Sequence, residues 1–238
     1  MTVWRISLDA GAAALIGARG LLSATERERA ARFHRAHDAA RWILAHGALR
    51  RILAAHLGCP ARALVFRPGR GGKPVLAGSR RVLEFNLTHS HDLALVAVAS
   101  GGTPVGIDVE RLRPLPDAAS LMTRFFSPSE QREWSGLEPA ARDAAFFRAW
   151  TRKEAVVKAT GDGLSAPFEQ VSISAGTGSR PRVSAYPGRA SDLRRWHVVD
   201  LQPGAGYAGA LAMLGLPRGP LELVDFDHRP GRALMPRR

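Results

Sequence analysis

The segment Phe146 to Leu164, FFRAWTRKEAVVKATGDGL, carries side chains able to do chemistry at helical spacing. Read as a helix, it puts Trp150, Glu154 and Lys158 at i, i+4 and i+8, stacked along one face, with Lys153 beside them and Gly161-Asp162-Gly163 as the stop. A carboxylate one turn before a lysine serves either as a surface ion pair or as an acid at the wall of a site, and the helix alone leaves both open. A second group lies in Val105-Gly106-Ile107-Asp108-Val109-Glu110, which reads as a strand. Residues two apart share a strand face, so Ile107 and Val109 are expected toward the core and Asp108 and Glu110 together toward the other side. Taken alone, this is an amphipathic edge strand with a solvated acidic face. Paired carboxylates repel unless a cation or protons intervene, and with Glu154 there are three of them in one half of the chain. Oxygen ligands of this kind suit a hard cation such as Mg²⁺, which takes one or two carboxylates, several waters and phosphate oxygens.

A third group, Phe85-Asn86-Leu87-Thr88-His89-Ser90-His91, is polar and reads as a turn from Thr88 to Asp92. His89 and His91 lack the further spaced ligands of a zinc site. Their functional reading is contact with phosphate, shared with the Thr88 and Ser90 hydroxyls and with Lys73 from the preceding Gly/Arg loop. Arg27, Arg29, Arg32 and Arg41 offer further anion contacts, although most surface arginines are simply solvated.

The elements that must position these residues follow from periodicity and punctuation. Val3 to Leu8 alternates as a strand. Ser23-Ala-Thr-Glu26 has the form of a capping box opening a helix, and a second helix covers about Asp38 to His56, with Trp42, Ile43, Leu49, Ile52 and Leu53 as its apolar stripe. A short extended stretch from Val82 to Leu87 and a strand from Leu93 to Ala99 flank the polar turn. After Ser100-Gly101-Gly102-Thr103-Pro104, a linker by composition, the pattern restarts. Val105 to Glu110 is its strand, Ser127-Pro128-Ser129-Glu130 a second capping box, and about Ala141 to Thr160 a long helix. Strands are expected at Val171 to Ser174, Trp196 to Leu201 and Ala208 to Leu214. The capping boxes lie 104 residues apart, and His37-Asp38-Ala39-Ala40 recurs as Arg142-Asp143-Ala144-Ala145, 105 residues on. This order predicts two α+β lobes of similar topology, arising by duplication, with a cleft at their interface.

Composition bounds the class. The chain has 238 residues, 45% hydrophobic and 23% charged, a globular balance with no apolar run of the ~20 residues a membrane span needs. Cys59 is the only cysteine, which excludes an internal disulfide, and no signal peptide is read, so a cytoplasmic location is expected. The formal charge of +13 favours an anionic partner. Among 34 basic residues only Lys73, Lys153 and Lys158 are lysine, which marks those positions as needing a compact charge.

Gly72-Lys73-Pro74, FNLTHS (85–90), GIDVE (106–110), FFSPSE (125–130) and WTRKEAVVKATGDGL (150–164) together, in this order, resemble a 4′-phosphopantetheinyl transferase of the two-lobed Sfp type. The resemblance runs from about residue 1 to 215. It departs in Thr88, where the family usually has serine, and in Arg29, where a lysine is often seen. It implies a pseudo-symmetric α+β fold, a pseudo-dimer in one chain, with lobes at 1–103 and 104–218 and coenzyme A in the cleft; the basic segment 219–238 matches nothing. By analogy Asp108, Glu110 and Glu154 would hold Mg²⁺, Glu154 would act as general base, and Lys158 would neutralise the pyrophosphate. Lys73, Thr88, His89, Arg29 and Arg41 would bind the 3′-phosphate. The implied partner is an acidic acyl or peptidyl carrier protein; a monomer with no nucleic acid and no membrane is expected.

Two rivals are set against this. A metal-dependent nuclease also uses an acidic pair followed by an acid and a lysine, but there those residues sit two apart on a strand, not four apart on a helix. A basic nucleic-acid-binding protein fits the charge and lacks any recognisable binding motif.

Overall fold

The computed structural model describes residues 1–78, 83–163, 166–174, 180–215 and 219–229. Val82 and Leu164, and residues 230–238 of the basic tail, lie outside them. Strand β1 (Thr2–Ser7) leads to helices α1 (Ala12–Leu21), α2 (Ala24–Ala31) and α3 (Ala36–Leu57). The ribbon β2 (Phe66–Pro68) and β3 (Pro74–Leu76) follows, then the hairpin β4 (Leu83–Ser90) and β5 (Leu93–Ser100). The same order then recurs: β6 (Val105–Arg111), α4 (Ala118–Phe125), α5 (Pro128–Ser135), α6 (Pro139–Thr160), β7 (Ser172–Ile173) with β8 (Val183–Ala185), and β9 (Trp196–Leu201) with β10 (Tyr207–Leu214). Sheet order recurs with it: β1-β5-β4 in the first half and β6-β10-β9 in the second, each pairing antiparallel. The fold is α+β.

Both capping boxes form as the sequence predicts. Ser23 and Ser127 accept the N–H of Glu26 and Glu130, whose carboxylates accept the serine N–H in return. Each capping glutamate also meets a buried cation on the long helix that follows, Glu26 with Arg50 at 2.7 Å and Glu130 with Lys153 at 2.8 Å. The two long helices have 22 residues each and stop at left-handed glycines, Gly58 and Gly161.

Four layers result. The α3 stripe packs on Trp4, Ile6, Phe85 and Val96 of the first sheet, and α6 packs on Val198, Ala210 and Ala212 of the second. The opposite sheet faces meet each other through Val3, Leu95 and Ala97 against Ile107, Val109 and Leu211.

Two expectations are corrected. Thr88, His89 and Ser90 belong to strand β4, and the turn is confined to His91, at φ 54, and Asp92. The polar run reads as a turn because its alternate residues face polar groups on β6 instead of a core. The tail has a place as well: β11 (Glu222–Asp225) adds to the first sheet parallel to β1, and Phe226 enters the first core. Arg51 lies over the Phe226 ring and donates to the carbonyls of Asp227, His228 and Arg229.

Candidate functional site

Gly106 sets the geometry. A Cβ at this position would collide with the Ala155 carbonyl oxygen and the Ala159 nitrogen, so α6 lies directly on β6. The acidic face of β6 is therefore covered by the helix that bears Glu154 and Lys158. Asp108 is 3% exposed, which replaces the solvated-face reading of this strand.

Asp108 Oδ1 accepts from Lys158 Nζ at 2.6 Å and from Thr88 Oγ1 at 3.0 Å, while its Oδ2 is buried and takes no hydrogen bond among the described residues. Lys158 Nζ also lies 3.9 Å from Glu154 Oε2 and 3.4 Å from Thr88 Oγ1. Glu110 Oε2 accepts from Ser90 Oγ at 2.8 Å. Lys158 thus stands among the carboxylates as their resident counter-charge.

The site's electrostatics have one theme. Burial pushes the carboxyls of Asp108, Glu110 and Glu154 above the usual carboxylate range, and their mutual repulsion adds to it at Glu110 and Glu154. Burial opposes the charge on Lys158, but Asp108 and Glu154 outweigh it and hold its pKa above the ordinary value. A buried acceptor with no donor, beside two further acids, is a donor set for a hard cation that keeps waters and ligand oxygens. Among the described residues no three of His, Cys, Asp or Glu gather as a ready-made metal cage.

On the other side of the site the residues are more spread. Lys73 Nζ donates to the Val105 carbonyl at 2.8 Å and lies 3.5 Å from Glu84, and burial lowers its pKa. Thr88 is buried and gives its hydroxyl to Asp108, whereas His89 is exposed. Arg29 sits 5.8 Å from the Trp42 ring, which stacks on His46 at 3.7 Å. Burial pushes His46 down to about 4, and its neighbours His89 and Arg29 act in the same direction, so these two side chains share one neighbourhood. Arg41 is half-buried on the first turns of α3.

Trp150 packs with Phe125, Phe146 and Phe168 and anchors α6. Lys153 is fully buried on Glu130 and the Phe125 carbonyl, so it serves the core, not the site. Sequence reasoning passed over Asn86, whose side-chain oxygen accepts the Ile107 N–H, and Arg113, whose charge partly offsets that of Glu110. Asn86, Thr88 and Ser90, at strand period, all reach β6; that alternation was the available signal for Asn86. Nothing in the spacing marks Arg113.

The model described as 4'-phosphopantetheinyl transferase, N-terminal matches residues 10–101, and that described as 4'-phosphopantetheinyl transferase superfamily matches 104–212. The 4'-phosphopantetheinyl transferase HetI of Nostoc sp. is 36% identical over 215 residues, 90% of this chain and 87% of that protein. The 4'-phosphopantetheinyl transferase Sfp of Bacillus subtilis is 28% identical over 152 residues, 64% of this chain and 66% of its own. A solved holo-[acyl-carrier-protein] synthase from Thermotoga maritima is 25% identical over 47% of this chain and 62% of that one, at a TM-score of 0.37. Matched in both halves by models of one family and along nearly its whole length by HetI, the chain belongs to the 4′-phosphopantetheinyl transferases.

Proposed function

We propose that this transferase moves the 4′-phosphopantetheine arm of coenzyme A onto a serine of an apo acyl or peptidyl carrier protein and releases 3′,5′-ADP. Mg²⁺ is assigned to Asp108, Glu110 and Glu154. The observation that carries the reading is the buried Asp108, whose Oδ2 has no donor among the described residues, with Lys158 lying between its Oδ1 and Glu154 and with Glu110 and Glu154 near enough to feel its charge. When bound, the metal would act as a Lewis acid toward pyrophosphate oxygens.

The remaining work falls to the chain. Glu154, held above the usual carboxylate range, suits a general base near neutral pH. It takes the proton of the carrier serine as that oxygen bonds to the pantetheine-bearing phosphorus and the bond from phosphorus to the 3′,5′-ADP oxygen breaks. Lys158 keeps its proton and offsets charge on the departing phosphate. Arg29, Arg41, His89 and Lys73 are assigned to the nucleotide's 3′-phosphate. Thr88 is assigned there too, although its single O–H already goes to Asp108, so its larger part is to hold that carboxylate.

The lobes are assigned to 1–103 and 104–218, related by a pseudo-two-fold axis with coenzyme A in the cleft between them, a reading supported by the repeated strand order. A single chain supplying both lobes fits a monomer. Its charge of +13 fits an acidic carrier. No helix among the described residues is long and apolar enough to cross a membrane; we place the reaction in the cytoplasm.

Mass spectrometry of an apo carrier protein incubated with enzyme, coenzyme A and Mg²⁺ tests the reading. A gain of one phosphopantetheine, lost with Glu154→Ala or with chelator, supports it. No gain across several acyl and peptidyl carriers would overturn it.

A further inference from the structure

The loop carrying Lys73 and the helix carrying Lys158 come from different halves of the chain, yet they interlock at one point. Gly71, at φ 56, lies against the end of α6, where a Cβ would collide with the Gly161 carbonyl oxygen and sit 2.9 Å from the Asp162 carbonyl carbon. A Cβ on Gly163, at φ 57, would in turn sit 2.7 Å from the Gly71 oxygen. Backbones this close, both left-handed, admit only glycine. Beside them Arg70 Nη2 pairs with Asp162 Oδ1 at 2.6 Å. The other Asp162 oxygen accepts from the Tyr186 hydroxyl at 2.6 Å and faces Arg189 at 3.5 Å, and the Asp162 N–H is donated to Thr160 Oγ1.

Arg70 is mostly exposed, so the ion pair adds little on its own. The glycine contact does the joining, and the Asp162 carboxylate, held by Tyr186 and Arg189, gives Arg70 a fixed target. Asp162 lies four residues after Lys158, just past the left-handed Gly161 that ends α6, and Arg70 stands just before Lys73. At the other end of the same loop, Lys73 reaches the carbonyl of Val105, next to the Gly106 on which α6 rests.

We propose that this interlock is a positioning latch: Gly71 and Asp162 seat the Lys73 loop on the end of α6 and so fix the spacing between the nucleotide-binding and the Lys158 sides of the site. The inference rests on the coenzyme A site proposed above, and in it neither residue touches substrate. Its effect belongs to coenzyme A binding, with the chemical step left intact.

Calorimetric titration of coenzyme A with Mg²⁺ into wild type, Gly71→Ala, Asp162→Asn and Gly58→Ala tests it. Gly58 ends α3 with the same left-handed strain, φ 66, and nothing within 4 Å of its Cβ position, so it separates strain from lost seating. Gly71→Ala is expected to weaken binding about tenfold or more, Asp162→Asn about threefold, and Gly58→Ala less than twofold. In turnover assays Asp162→Asn raises KM for coenzyme A with kcat within about twofold, the mark of lost binding common to ground and transition states. Equal weakening in Gly58→Ala and Gly71→Ala, or wild-type affinity in Gly71→Ala, overturns the latch while leaving the site reading in place. If Gly71→Ala does not fold, unchanged affinity in Asp162→Asn overturns it instead. Wild type that fails to bind coenzyme A overturns the site reading and the latch with it.

Discussion

At Glu154, burial and two neighbouring carboxylates oppose ionisation, while Lys158 one turn along favours it. Such a group is poised to accept a proton, so Glu154→Gln should lower kcat by about 10²–10⁴-fold, and it should also weaken Mg²⁺-dependent coenzyme A binding because it removes an assigned metal ligand. Single-turnover transfer and equilibrium titration separate the two. The same crowding has a stability signature at Glu110, whose pKa is raised by burial and by Asp108. A carboxyl with a raised folded-state pKa stabilises the fold below its unfolded pKa, and that stability is lost as pH rises through the folded value. Without divalent cations, Glu110→Gln should therefore melt above wild type at neutral pH. The advantage should shrink as pH falls through the raised value into the ordinary carboxylate range. Thermal melts in chelator across pH read this out, and a constant offset would count against it. Spacing alone put Asp108 and Glu110 on one strand face but read that face as solvated, and it left Glu154 open between a surface ion pair and the wall of a site. That Lys158 pairs chiefly with Asp108 was not legible, because i, i+4 spacing points only to Glu154.

At the scale of elements, the contact of α6 with β6 depends on the missing side chain of Gly106. Gly106→Ala should force the helix off the strand, costing about 1–3 kcal/mol by overpacking. It should cost activity further, because Glu154 and Lys158 move with the helix; urea melts and the transfer assay report the two effects. The capping glutamates bind each short helix to the long one after it. The Glu26 carboxyl is held below its ordinary pKa: burial opposes this, but hydrogen bonds from Arg50 and Ser23 outweigh it. A lowered carboxylate stabilises above its unfolded pKa and is lost as pH falls through the folded value. Glu26→Gln should thus cost about 3 kcal/mol at neutral pH by stranding buried Arg50, with the deficit closing in acid below the ordinary range. Capping boxes and apolar stripes are local signals, and α2, α3, α5 and α6 were legible from them to within a few residues; α1 and α4 carry no capping box and were not read. The β4–β6 seam was not read either. It is made by side chains crossing between strands, Asn86 to the Ile107 N–H and Ser90 to the Arg111 N–H, and the polar alternation that marks it was read as a turn.

At the scale of the whole molecule, the repeat is interrupted where the chain returns. The short β11 lies in a Pro- and Arg-rich stretch whose composition hides a strand, so the tail's docking on β1 was illegible. Phe226 is its anchor, and Phe226→Ala should cost about 3 kcal/mol in denaturant melts, with little change in coenzyme A affinity. The two halves also diverge at matching helix positions: Arg50 answers to Lys153, but Arg51, bound to tail carbonyls, stands where the second half has Glu154. One half keeps the acids and the other gives that place to the returning tail. The chain's arginine bias leaves each of its lysines in an ion pair, Lys73 with Glu84, Lys153 with Glu130 and Lys158 with Asp108. Reductive ¹³C-methylation would then give a spectrum of only a few amine signals. Lys158, 30% exposed among carboxylates, would be the most accessible lysine methyl probe, reporting occupancy of the site by resonance shift in the intact protein.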